Sequence, residues 1–230
     1  MKIIGGICYN DDGITTSIRG MHTQTELMNI YGDNINGFNK VGYHRKEAVV
    51  SSFAQYIGAD AISAVTDDSV GRLSMSKNPL DLALAKKGYF QYLSSEGIKQ
   101  TRDGRFKLDA NGYLTTLSNE KVLSMSGQPV KLNYIPEELT QIKIDTQGNI
   151  KVFNKEKNKL VDVDTLSVVS ANGQSVKDID VRQGYIEKSN VAQQAEFYNI
   201  MPVKRNFEAN RQMVIMQNTL LSKTISQITS

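Results

Sequence analysis

Near the end of the sequence, apolar side chains return at every seventh position: Ile200, Phe207, Val214, Leu221 and Ile228. Strict seven-residue spacing keeps one apolar stripe facing a partner, because supercoiling absorbs the mismatch with the α-helical period. The stripe runs almost to the last residue, so its expected partner is an earlier segment or another molecule. Near the start, Ile14, Ile18, Met21, Thr25 and Met28 follow a 4-3-4-3 spacing, which is a second heptad seam. Asp11 or Asp12 is placed to cap that helix and Gly32 to end it. Periodicity alone leaves two readings open. The two helices form a coiled layer, or they pack separately on an ordinary globular core.

Between the helical ends the period falls to two. Arg105-Phe106-Lys107-Leu108 and Gln141-Ile142-Lys143-Ile144 alternate polar and apolar, as in a sheet with one wet and one dry face. Strands are expected at 89–93, 98–102, 105–108, 113–117, 121–124, 141–145, 150–154 and 160–169. The turn signals between them are Asp103-Gly104, Asn111-Gly112, Gln147-Gly148-Asn149 and Asn172-Gly173. The expected class is α+β: N- and C-terminal helices forming a coiled-coil-like layer, with a central antiparallel all-β domain. The expected organisation is a terminal helical domain of 1–45 and 186–230, an extended connector over 46–80, and a β-rich domain over 81–185. Val49, Val50, Phe53, Tyr56 and Ile57 fit a short helix or a strand. Pro202 predicts either a kink or the first residue of a new helix, and Asn190 with Gln193 is placed to cap an earlier segment.

Composition narrows the class. At 230 residues with 40% apolar and 22% charged side chains, the chain has the make-up of one large or two small folded domains. A net charge of +3 with interspersed acids and bases gives no footprint for nucleic acid. No run approaches the roughly 18 apolar residues of a membrane helix, so no direct membrane insertion is expected. The opening ten residues are too short and polar for a cleaved leader, and export by a route needing none is expected. The single cysteine, Cys8, excludes an intrachain disulfide.

The chemistry survey finds no enzyme site. His22 and His44 have no second ligand at metal-binding spacing. Nucleophile elbow, phosphate-binding loop and dinucleotide fingerprint are all missing. Asp109-Ala110-Asn111-Gly112 starts like a calcium loop, and Glu120 fits its last ligand, but the glycine falls two positions early, so a hairpin turn is expected. Tyr89, Phe90 and Tyr92 are expected in the core. No catalytic, metal or cofactor residue is therefore assigned, and a structural part is expected rather than an enzyme.

Four strings carry a resemblance. Residues 78–91, NPLDLALAKKGYFQ, resemble the N-x-L-D-L-A-I-x-G-x-G-F-F-Q signature of flagellar rod and hook proteins, through Leu80, Asp81, Gly88 and Phe90. Residues 101–114, TRDGRFKLDANGYL, resemble the same family's T-R-D-G-x-F-x-x-D-x-x-G-Y-L, through Arg102, Asp103, Gly104, Phe106 and Gly112. Residues 184–191, GYIEKSNV, are similar to its G-x-L-E-x-S-N-V, through Gly184, Glu187, Ser189 and Asn190. Residues 205–210, RNFEAN, are similar to its R-x-Y/F-E-A-N, through Arg205, Glu208 and Asn210. A looser match over 32–43 includes Asn34 and Gly42, with Asn36, Gly37 and Lys40 departing from the pattern.

The resemblance implies a structural subunit of the bacterial flagellar basal-body rod, assembling helically through its terminal helices to transmit torque. It implies an inner layer of both terminal helices and a β-rich middle outside it. The implied partners are copies of itself, other rod and hook subunits, and the flagellar type III export apparatus. The implied location is the basal body, outside the cytoplasmic membrane. The assembly interface is assigned to Ile14, Ile18, Met21, Met28, Ile200, Phe207, Val214, Leu221 and Ile228. Asn210 and Gln217 are candidates for setting register. A hook subunit, or a rod-like paralogue with another envelope role, is the alternative; proximal and distal rod are not separated.

Overall fold

The computed structural model of the chain describes residues 2–4, 7–9, 13–50, 62–154 and 159–228. The expected caps Asp11 and Asp12, and Phe53, Tyr56 and Ile57, lie outside the described residues. The chain divides into two compact units, one of residues 1–36, 46–67 and 192–230, the other of 37–45 and 68–191.

The first unit holds hairpin β1 (Lys2–Ile4) and β2 (Ile7–Tyr9), helix α1 (Gly13–Gly37), hairpin β3 (Lys46–Val50) and β4 (Ile62–Thr66), and helix α2 (Gln193–Ile228). Gly32 does not end α1. No neighbour crowds it, and the helix continues to Gly37. Pro202 starts no new helix and lies inside α2. The stretch 46–80, expected as a connector, instead supplies the β3–β4 hairpin, paired from Lys46↔Thr66 to Val50↔Ile62.

The second unit contains β5 (Leu73–Met75), β6 (Leu82–Leu84), β7 (Tyr89–Ser94), β8 (Gly97–Thr101), β9 (Lys107–Leu108), β10 (Leu114–Thr115) and β11 (Lys121–Val122). It continues with β12 (Ile142–Ile144), β13 (Asn149–Asn154), β14 (Lys159–Thr165), β15 (Val168–Val169), β16 (Val181–Gln183) and β17 (Tyr185–Glu187). Strands β15-β7-β11-β10-β9 form one antiparallel sheet, with β8 also on β7, and β12-β13-β14 form a second. Pairs β6–β16 and β5–β17 add two short ladders. Strand β17 straddles the expected boundary at 185/186 and lies wholly in the β-rich unit, which runs to Val191.

Alternation explains the core. In β12 and β13 the apolar Ile142, Ile144, Ile150 and Val152 are buried, and they pack with Leu80, Phe90, Phe106, Leu114 and Val130. Phe90 meets Phe106 edge to face, with ring centres 5.2 Å apart. One turn recurs five times. The N–H of residue i+3 bonds the carbonyl of residue i, and the N–H of residue i bonds the carbonyl of i+4, at Asp109, Thr116, Ser124, Asp145 and Ser170. The residue at i+3 has positive φ each time: Gly112, Asn119, Gly127, Gly148 and Gly173. At Asp109 the carboxylate accepts N–H bonds from Asn111 (2.9 Å) and Tyr113 (2.7 Å), so it is spent on the turn. Gly104 serves differently: a Cβ there would lie 1.8 Å from the Leu82 carbonyl oxygen.

Phe90→Ala is expected to destabilise the β-rich unit by about 3–5 kcal/mol, because Phe90 is fully buried against Phe106. Denaturant unfolding of the full chain checks this.

Candidate functional site

Two constructions carry the residues singled out by the sequence: a helix seam in the first unit and a buried charge cluster in the second.

In the seam, α1 and α2 run antiparallel. A Cβ on Gly13 would lie 2.2 Å from Gln217 Nε2, and one on Gly20 would lie 2.6 Å from Asn210 Nδ2. Further along, Asn34 Nδ2 donates to Glu196 Oε2 at 3.1 Å. These three pairs fall on one antiparallel register. On α2 the covered positions are Glu196, Ile200, Val203, Phe207, Asn210, Val214 and Gln217, a continuous 4-3 heptad. On α1 the same spacing runs through Gly13, Ser17, Gly20, Gln24, Leu27, Tyr31 and Asn34.

The expected N-terminal stripe lies beside this seam. Ile14, Met21 and Met28 flank the seam and are half-buried, but Ile18 is 50% exposed. At Gly13 and Gly20 the α1 face is small, and Gln217 and Asn210 fill the space the glycines leave, while Leu27 and Tyr31 continue the same heptad further along. A search for apolar spacing misses such a seam. Its usable signal was the pair of glycines seven apart, opposite amides seven apart. Among the C-terminal calls, Ile200, Phe207 and Val214 are half-buried, while Leu221 and Ile228 are 52% and 78% exposed. Every residue from 218 to 228 is exposed, Leu220 and Ile225 included. Of the R-x-F-E-A-N string, Arg205 is exposed, Glu208 accepts a hydrogen bond from Arg211 at 3.3 Å, and Asn210 sits over Gly20.

Asn34 ties the helix to the hairpin. Its Nδ2 donates to the Lys46 carbonyl and its Oδ1 accepts the Lys46 N–H, both at 2.8 Å. The side chain thus copies one rung of a β-ladder at the start of β3.

In the second unit, Glu187 is buried on β17 and accepts from three segments. Arg102 Nε donates to Oε2, and His44 Nε2 (3.1 Å) and the Gly71 N–H (2.8 Å) donate to Oε1. Burial alone favours the neutral acid. The His44 hydrogen bond, the Arg102 charge and the Gly71 amide outweigh it, and hold the Glu187 carboxyl below the usual carboxylate range. Arg102 spends its remaining donors on the carbonyls of Gly88 and of Leu84 (2.8 Å). Tyr89 lies beside this cluster. Burial and the hydrogen bond it donates to Asp68 push its phenol up.

The other motif residues shape backbone. Gly42 has positive φ, and a Cβ there would strike the Arg102–Asp103 peptide at 2.5 Å. Asp81 accepts from Ser76 and from Asn78 Nδ2 (2.9 Å), and its carbonyl takes the Gly184 N–H (2.7 Å). Asp103 binds its neighbour Arg105 through both carboxylate oxygens, at 2.9 and 2.6 Å. Asn190 Oδ1 accepts the Arg45 N–H at 2.6 Å, and its Nδ2 donates to Ser69. Ser189 Oγ accepts the Val191 N–H. Leu80, Phe90 and Phe106 are core; of the aromatics expected there, Phe90 is buried, while Tyr89 and Tyr92 are only half-buried. His44, which has no second ligand at metal-binding spacing in the sequence, finds Glu187 from 143 positions away. Among the described residues no three His, Cys, Asp or Glu side chains gather to hold a metal.

Residues 83–152 match the family model described as the flagellar hook protein FlgE/F/G D1 domain, and 182–228 match the flagellar basal body rod FlgEFG protein C-terminal model. The chain is similar to the flagellar basal-body rod protein FlgG of Bacillus subtilis, 24% identical, covering 92% of this chain and 97% of the relative. It is also similar to the rod protein FlgF of Mesorhizobium japonicum, 26% identical over 86% and 89% of the two chains. A third relative, FlgF of Caulobacter vibrioides, is 26% identical over 91% and 94%.

Because its folded-state carboxyl lies below the ordinary value, Glu187 stabilises the fold fully above the unfolded pKa of about 4.3. That contribution is lost as pH falls through the folded value. Glu187→Gln is expected to cost about 3–5 kcal/mol near neutral pH, since it leaves the Arg102 charge buried without its partner. It should also flatten the acid limb below about pH 5. Urea unfolding across that range checks both outcomes.

Proposed function

We infer that this chain, which belongs to the flagellar hook and basal-body rod family, is a structural subunit of the basal-body rod. The observation that carries this is the C-terminal part of α2. Its heptad continues past Gln217, the residue set against the first residue of α1, and residues 218–228 remain exposed with Leu220, Leu221, Ile225 and Ile228 among them. An apolar helical face of this kind gains stability by packing against another subunit. Phe197, Tyr198, Met201, Met213, Ile215 and Met216 add exposed apolar surface along the same helix.

Identical subunits joined by contacts that do not close form a helical tube, and such a tube carries torque through its packed helices. The partners are copies of this chain and other rod and hook subunits. The export route is the flagellar type III apparatus, and the working location is the basal body outside the cytoplasmic membrane. No described helix is long and apolar enough to cross a membrane. The role assigned is mechanical, with no catalytic step.

Val214→Asp sets a charge in the half-buried seam. The variant is expected to keep the unfolding transition of the β-rich unit, to be missing from purified basal bodies, and to leave cells non-motile. Wild-type incorporation of the variant would count against assembly through this seam. Absence of the unmodified, epitope-tagged chain from basal bodies would sink the rod reading.

A further inference from the structure

We propose that a basic groove on the β-rich unit receives residues 134–139 of a second copy of this chain. The inference rests on the reading of the chain as an assembling subunit. The groove has a volume of about 450 Å3 and lies between the turn after α1 and the end of β17. Phe38, Val41 and Ile186 give it apolar surface, and Lys40, Arg72 and Lys188 give it three cations. All three cations are exposed, and among the described residues no carboxylate lines the groove. Its walls are fixed by backbone bonds, from Gly42 N–H to the Glu187 carbonyl (2.8 Å) and from Lys188 N–H to the Arg72 carbonyl (2.9 Å). It is therefore formed before anything binds, which limits the ordering cost of binding.

The same unit carries the complement. Tyr134-Ile135-Pro136-Glu137-Glu138-Leu139 contains two acids and no base, and Tyr134, Ile135 and Leu139 are exposed. The segment is presented on a fixed loop. Before it, the Leu132 N–H bonds the Gly112 carbonyl at 2.8 Å; after it, the Gln141 N–H bonds the Glu138 carbonyl at 3.1 Å. The chain bends at Tyr134 and again at Glu137 and Glu138, and Leu139 opens a 3-10 turn, which keeps exposed apolar side chains and both carboxylates together on one short loop. A small anion would satisfy the cations and leave Phe38, Val41 and Ile186 uncovered, whereas this segment covers both. Groove and loop are different patches of one chain, so the contact is heterologous and repeats without closing, as a helical tube requires.

The test titrates the full-length chain into a fluorescein-labelled peptide of residues 131–142 at low salt and reads anisotropy. Binding is expected, and Lys40→Glu with Lys188→Glu should weaken it at least about tenfold. Replacing both glutamates of the peptide by lysine should restore binding to that variant. Both lysines are exposed, so the variant is expected to melt like the parent. No binding at about 1 mM chain overturns the proposal. So does equal binding of a scrambled peptide, equal binding by the groove variant, or displacement by millimolar inorganic phosphate. Incorporation into basal bodies without peptide binding overturns the groove contact and leaves the rod reading standing. Peptide binding by a chain absent from basal bodies supports the contact and overturns the rod reading.

Discussion

The β-rich unit depends on the buried pair of Arg102 and Glu187. Each charge alone would be costly inside a protein, and each is fully bonded here: Glu187 to Arg102, His44 and the Gly71 amide, Arg102 also to two carbonyls. The gain is geometric as much as energetic. The turn at 42–44, the strand entry at 71, the β6–β7 connection at 84–88 and β17 are distant in sequence, and all converge on these two side chains. Gly42 and Gly104 complete the arrangement, since a Cβ at either position would collide with backbone.

The two units solve different problems. The β-rich unit buries its own apolar residues in a core of alternating strands closed by one repeated turn. The helical unit leaves much of its apolar surface outside. Its seam mixes Gly13, Ser17, Gly20 and amides with the apolar Leu27, Ile200, Val203, Phe207 and Val214, and Asn210 over Gly20 and Gln217 over Gly13 fix its register. The β3–β4 hairpin is similar in kind: a two-stranded ladder is marginal by itself, and Val49 and Val65 are exposed on it. Units of this character fit a subunit that is completed by its neighbours.

How much of this was legible depended on the range of the interaction. Strands β7, β8, β12 and β13 were visible because alternation and positive-φ turn residues are local signals. The short strands β5, β6, β16 and β17 were not, because each is only three residues long and is held by partners a hundred positions away. Apolar spacing points to Ile18, which is exposed, while Gly13 and Gly20, which lie against α2, give no apolar signal.

The sequence by itself determined the class, the two terminal helices, the turn chemistry and the family, since periodicity and motif strings are properties of neighbouring residues. Only the tertiary structure decided which side of α1 meets α2, which carboxylate partners His44, and how Lys40, Arg72 and Lys188 come to line one groove. Those facts depend on contacts between residues far apart in the chain, and no local pattern encodes them.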